Sequence, residues 1–126
     1  MQKLVIEGRL PSLNEYTNKN RSNRYEAAKM KRECEEQIGW SIKAQRIEPV
    51  SSRADLTYVF FEKNRRRDKD NISGVAHKFI NDALVKCGIL EDDSWEYVGE
   101  LKDRFGVDKY NPRIEVYIVD SRTDKS

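Results

Sequence analysis

Arg65-Arg66-Arg67-Asp68-Lys69-Asp70-Asn71 sets three cations directly before two carboxylates, and the chain runs on as Ile72-Ser73-Gly74-Val75-Ala76-His77-Lys78-Phe79-Ile80-Asn81-Asp82-Ala83-Leu84-Val85-Lys86-Cys87-Gly88. In that continuation Ile72, Val75, Ala76, Phe79, Ile80, Ala83, Leu84 and Cys87 follow the i, i+3, i+4, i+7 spacing of a helix laid on a sheet. Gly88 ends it. A helix with one apolar stripe needs strands to lie on, and the flanking segments supply them.

Upstream, Asp55 to Phe61 is rich in β-branched and aromatic residues and reads as a strand that delivers the chain to the arginine run. Lys3 to Leu10 reads as another strand, with Leu4, Ile6 and Gly8 on one side and Pro11 as its stop. Asn23-x-x-Glu26 resembles a capping box. The helix after it carries Ala27, Met30, Cys34, Ile38 and Ile42 on one stripe and Lys29, Arg32, Glu33 and Glu36 on a solvated face. Pro11 to Tyr16, continuing to Lys19, Arg21 and Arg24, reads as a polar loop. It is either a basic segment that lies along nucleic acid or an ordinary surface connection.

Downstream, Trp95 to Phe105 reads as a long strand bent at Gly99, and Arg113 to Val119 alternates through Ile114, Val116 and Ile118. Tyr110-Asn111-Pro112 makes the turn between them. The order β-α-β-α-β-β gives an α/β or α+β layer, a single domain in which two main helices cover a mixed sheet.

At 126 residues, 37% hydrophobic and 37% charged, the chain suits one domain with a real core. Its Val, Ile, Leu and Phe residues cluster in periodic segments, which separates it from disordered chains. The net charge of +2 hides basic patches at Lys19–Lys31 and Lys63–Arg67 and an acidic one at Glu91–Asp103. Cys34 and Cys87 fall within helical patterns and read as buried reduced thiols, with no zinc spacing around them. No apolar run marks a signal peptide or a membrane span, so a cytoplasmic protein is expected. The polar tail from Asp120 to Ser126 is expected to fray.

The chemistry centres on Asp68 and Asp70. On an extended backbone, carboxylates at i and i+2 point the same way and can share one hard cation such as magnesium. Arg65, Arg66 and Arg67 would then hold a phosphate backbone. The other reading makes Asp70 or Asn71 the N-cap of the helix and the arginines a solvated loop. Glu91-Asp92-Asp93, at the far end of the same helix, favours the metal. Sites in such sheets lie beyond strand ends, where Asp68, Asp70 and Asp93 are expected to gather. Lys78 either reaches back toward the aspartates or pairs with Asp82 on the surface. His77 has no partner at catalytic spacing and is assigned no role.

In combination, Pro11-Ser12-Leu13-Asn14, Arg67-Asp68-Lys69-Asp70-Asn71, Lys78-x-x-x-Asp82-Ala83-Leu84, Gly88 and Glu91-Asp92-Asp93 resemble the RusA-type Holliday junction resolvases of phages and prophages. The resemblance implies a homodimer that uses magnesium, or manganese in its place, to cut four-way DNA junctions in recombination and repair. It implies Asp68, Asp70 and Asp93 as metal ligands, with Asp92 as a further candidate, and Lys78 as the essential lysine. Arg65, Arg66, Arg67, Asn14, Lys19, Arg21 and Arg24 are the expected DNA contacts. The segment Asn71 to His77 is longer, by a helical turn, than in the short members of that family. A nuclease acting on other branched DNA and a non-catalytic DNA-binding protein are the alternatives.

Overall fold

The computed structural model describes residues 1–121. The elements are β1 (Gln2–Glu7), α1 (Leu13–Ser22), α2 (Arg24–Ala44), β2 (Ala54–Glu62), α3 (Lys69–Ser73), α4 (Ala76–Lys86), β3 (Val98–Val107) and β4 (Arg113–Asp120). The strands form one mixed sheet in the order β1-β4-β2-β3, in which β2 pairs parallel with β3 and antiparallel with β4. The expected α+β layer is therefore present, with one helix more before α2 and the last expected helix split into α3 and α4.

Register explains which face is buried. Leu4 opposes Val116, Tyr58 opposes the same Val116, and Phe60 opposes Ile114, so these side chains share one face of the pleat. That face meets Ile38 and Ile42 of α2 and Phe79, Ile80, Ala83 and Leu84 of α4 in one continuous core. Among the described residues no helix lies over the opposite face. There Glu115 is buried by its neighbours: Arg113 donates to it at 2.8 Å, the Tyr117 hydroxyl donates at 2.8 Å, and the Arg113 guanidinium lies 4.1 Å from the Phe61 ring. A salt-bridged polar cover thus takes the place of a second helical layer.

Two local expectations are corrected. The segment taken for a loop after Pro11 is helix α1, because the Ser12 hydroxyl caps it by accepting from the Glu15 N–H at 3.1 Å and Tyr16 anchors it edge-on against Phe79. The long helix from Ile72 is interrupted at Gly74 and Val75. At Gly74 a Cβ would stand only 2.9 Å from the Asp70 carbonyl and 3.0 Å from Leu13, so α1 and α3 meet too closely there for a side chain. At the expected bend in β3, Gly99 lies in an irregularity of the β2–β3 register, and a Cβ on it would run into Asp55, whose carboxylate accepts from the Glu100 N–H at 2.8 Å.

Other expectations hold. Asn23 caps α2 through bonds from the Tyr25 and Glu26 N–H groups, and Gly88 takes the left-handed φ of 76° just beyond α4. Cys34 and Cys87 are free thiols, though half-buried rather than buried. Of the tail, Asp120 belongs to β4 and Ser121 bonds the Arg53 carbonyl, while residues 122–126 lie outside the described residues. No helix among the described residues is long and apolar enough to cross a membrane.

Ion pairs tie α2 to α4 and close the open face of the sheet, and their carboxylates titrate low. Burial alone would raise the Asp82 carboxyl, but Lys31 and Lys78 outweigh it and hold it below the usual carboxylate range. Glu115 behaves likewise, its burial offset by Arg113, Tyr117 and Lys3. A folded-state pKa below the unfolded one contributes stability above about pH 4, which is lost as pH falls through the folded value. Urea midpoints should stay level from neutral pH to about pH 5 and fall below about pH 4. Asp82→Asn with Glu115→Gln should flatten that fall, and an equally steep loss in the double variant would refute the assignment.

Candidate functional site

The D-x-D pair lies just past the end of β2, at the entry to α3. Asp68 is the N-cap, with extended backbone (φ −70°, ψ 151°), and Asp70 is already inside the first helical turn. The two carboxylates therefore do not share an extended segment, which corrects the expected period-two alignment. They are neighbours for another reason, the tight turn into the helix, and both border a cleft of about 130 Å³ with Leu13, Asn14 and Asn71. The Asn14 N–H donates to Asn71 Oδ1 at 2.9 Å, fastening α1 to this cleft.

An aspartate at an N-cap ordinarily accepts from the N–H groups of the following turn. Asp68 makes no such bond. Asp70 accepts only locally, from the Asn71 N–H at 3.0 Å. Between them Lys69 is drawn aside, its Nζ lying 5.5 Å from the centre of the Phe105 ring on β3.

The basic run divides. Arg65 and Arg66 are exposed, whereas Arg67 is folded inward: its Nε and one terminal nitrogen each donate to Glu62 at 2.8 Å, and its other terminal nitrogen donates to the Leu10 carbonyl at 3.1 Å. Arg67 thus closes the strand end onto the β1–α1 connection. A cleft of about 480 Å³ opens beside it, between Arg65, Asp68, Lys69 and the Phe105–Val107 end of β3. Lys19, Arg21 and Arg24 are exposed on α1 and at the start of α2.

Asp93 stands apart from the D-x-D. It is exposed in the loop after α4, where its Oδ1 receives a long bond of 3.4 Å from Asn81. Among the described residues no three His, Cys, Asp or Glu side chains stand together as a metal-holding group, so the expected gathering of Asp68, Asp70 and Asp93 is not formed. The physical reason lies in the backbone: Asp68 and Asp70 are fixed at one end of the α3–α4 unit and Asp93 follows its other end. Asp92 is exposed in the same loop. The pair Asp68 and Asp70 alone still suits magnesium, which commonly takes one or two carboxylates and completes its shell with water and substrate phosphate.

Lys78 borders neither cleft. Its Nζ pairs with Asp82 at 3.2 Å, and Asp82 also pairs with Lys31 of α2 at 2.9 Å. His77, on the same turn, is held against the sheet. Its Nε2 lies 2.6 Å from Asp103 Oδ1 of β3, and its ring stacks on Tyr58 at 4.2 Å. The Tyr58 hydroxyl donates to Asn81 Oδ1 at 2.5 Å. Burial, above all, pushes that phenol well above its ordinary range; the Asn81 bond opposes the rise, and the charges of Asp93 and Asp103 add to it. Sequence spacing missed His77 because its partner is 26 residues away. The one local signal was Asn81, a polar residue set four positions on within the buried face.

No family model matches the chain, and no curated protein matches it.

The two kinds of arginine separate by stability. Arg67→Ala strands the Glu62 carboxylate and should cost about 3–5 kcal/mol. Arg65→Ala and Arg66→Ala should each stay within about 0.5 kcal/mol of wild type. Urea denaturation of the three variants checks this, and an Arg67→Ala protein as stable as the parent would show that the pair with Glu62 holds nothing together.

Proposed function

We propose that the chain is a magnesium-dependent endodeoxyribonuclease of the RusA type, a homodimer that resolves Holliday junctions by paired phosphodiester hydrolysis. The observation that carries this reading is Asp68, an N-cap aspartate that does no capping and whose carboxylate shares a cleft with Asp70 beside exposed arginines. A carboxylate held idle in this way is available for a cation. Symmetric cuts in two strands need two equivalent sites, which a two-fold dimer supplies.

Asp68 and Asp70 would hold the ion from this chain. Bound magnesium supplies an acidified water and a polarised phosphoryl oxygen. The protein's own part is to hold the substrate: Arg65 and Arg66 contact phosphates without reading sequence, and Lys19, Arg21 and Arg24 extend the basic surface along α1. Asn14 keeps α1 fastened beside the carboxylates through its bond to Asn71.

The test is cleavage of a synthetic four-way junction beside a linear duplex, with and without magnesium. Cutting confined to the junction is expected. Broad cutting would favour a nuclease for other branched DNA, and binding without cutting would leave a DNA-binding protein. Asp70→Asn and Asp68→Asn should each abolish cleavage while leaving fold and junction affinity near wild type, because charge is removed at constant volume. Either variant cutting at the parental rate would make the metal assignment wrong.

Arg65→Ala with Arg66→Ala should weaken binding to every DNA form. The slope of log affinity against log salt should drop by about one unit for each lost phosphate contact. An unchanged slope would remove both residues from the interface.

A further inference from the structure

Resting on the nuclease reading, we propose that His77, oriented by Asp103, is the general base of the hydrolysis, taking the proton from the water that attacks phosphorus. The placement comes from the α3–α4 unit. Gly74 and Val75, between the two helices, both keep right-handed helical backbone angles, so the chain continues in nearly one direction from Asp70 to His77. Seven residues are about two turns, or roughly 10 Å, and return a side chain to the same face. His77 turns to β3, where it bonds Asp103, and Lys69 lies over Phe105, two residues along the same side of that strand. Asn81, one turn further, leads to Asp93. Along the α3–α4 unit His77 therefore lies between the two separated acidic positions, with Asp70 seven residues before it and Asp93 reached through Asn81 after it.

The pairing selects the chemistry. With Nε2–H donating to Asp103, the other ring nitrogen, Nδ1, is left as a proton acceptor, and the carboxylate stabilises the imidazolium once it forms. Stacking on the buried Tyr58 ring fixes the plane of the imidazole. The groups facing it are Asp103 from β3, Tyr58 from β2 and, beyond Asn81, Asp93 from the loop. On its own helix, Lys78 and Asp82 are turned to α2. Lys102 and Arg104 alternate to the opposite side of the sheet.

In the step itself, water gives a proton to Nδ1 as its oxygen bonds to phosphorus. The bond from phosphorus to the leaving sugar oxygen breaks, and that oxygen takes a proton from solvent. Imidazolium then returns its proton to solvent, so one water is consumed per phosphodiester and the products are a phosphomonoester and a hydroxyl.

His77 is the only histidine in the chain, so untagged wild-type protein offers a direct test. Its single-turnover rate on a four-way junction in magnesium should rise with pH to a plateau, and diethyl pyrocarbonate should abolish cutting, with hydroxylamine restoring it. His77→Gln should lower that rate by about 10²–10⁴ and remove the rise, with junction affinity unchanged. Added imidazole should partly restore His77→Ala. Asp103→Asn should slow cutting as well. If carbethoxylated wild type or folded His77→Gln cuts at the parental rate while Asp70→Asn is dead, the base assignment falls and the nuclease stands. If wild type cuts no junction, or Asp70→Asn cuts normally, the nuclease reading itself fails.

Discussion

A phenol in the middle of a hydrophobic core has to find an acceptor, and Tyr58 is wholly buried. Its partner is Asn81, itself almost fully buried on the face of α4 that meets the sheet. This single bond fixes both the rotation of α4 and its position along β2, because neither polar group is satisfied in another register. The apolar residues around Asn81 then fall where they must, with Phe79, Ile80, Ala83 and Leu84 in the core. His77, one turn before Asn81, is set over the Tyr58 ring and against Asp103 by the same rotation. Core packing and the His77–Asp103 pair are thus one constraint seen from two sides.

The sheet obeys a second economy. A short chain with helices on only one face must still protect the other, and it does so with charge: Glu115 is covered by Arg113, Tyr117 and Lys3, and Arg113 also reaches Asp108 at 2.8 Å. Asp108 accepts from the Tyr110 and Asn111 N–H groups, so the same network shapes the turn that carries the chain from β3 past β2 to β4. Edge strand β3 is kept from pairing further by its run of charged residues, Glu100, Lys102, Asp103 and Arg104.

Much of this was legible as periodicity. The strands around Leu4, Tyr58 and Val116 and the stripe from Ile72 to Leu84 declare themselves by spacing, since burial on one face is a local pattern. Helix α1 was not legible, because almost every residue in it is polar; what makes it a helix is the Ser12 cap and two contacts, Tyr16 on Phe79 and Leu13 on Gly74, that exist only once the chain has folded. The D-x-D was found by its residue types but misjudged in geometry, since the helix begins at Lys69, between the two aspartates, rather than after them. Arg67 looked like its two neighbours. Only the tertiary position of Glu62 and the Leu10 carbonyl distinguishes it from them. The pair of His77 and Asp103 joins a helix to a strand that is distant in sequence, and no local pattern encodes such a contact.

The division among Arg65, Arg66 and Arg67 bears on the proposed ion site, because it decides which cations are left beside the two carboxylates. Three cations beside two aspartates would ordinarily form ion pairs that neutralise the site. Here Arg67 is taken up by Glu62 and Lys69 by the Phe105 ring, while Arg65 and Arg66 remain at the surface. The cations nearest the carboxylates in sequence are therefore bound elsewhere. Asp68 does not cap its helix and Asp70 accepts only the next residue's N–H. Fastening the loop through Arg67 rather than through the aspartates leaves the acidic pair with little internal work, and its negative charge is what the proposed ion site would have to keep.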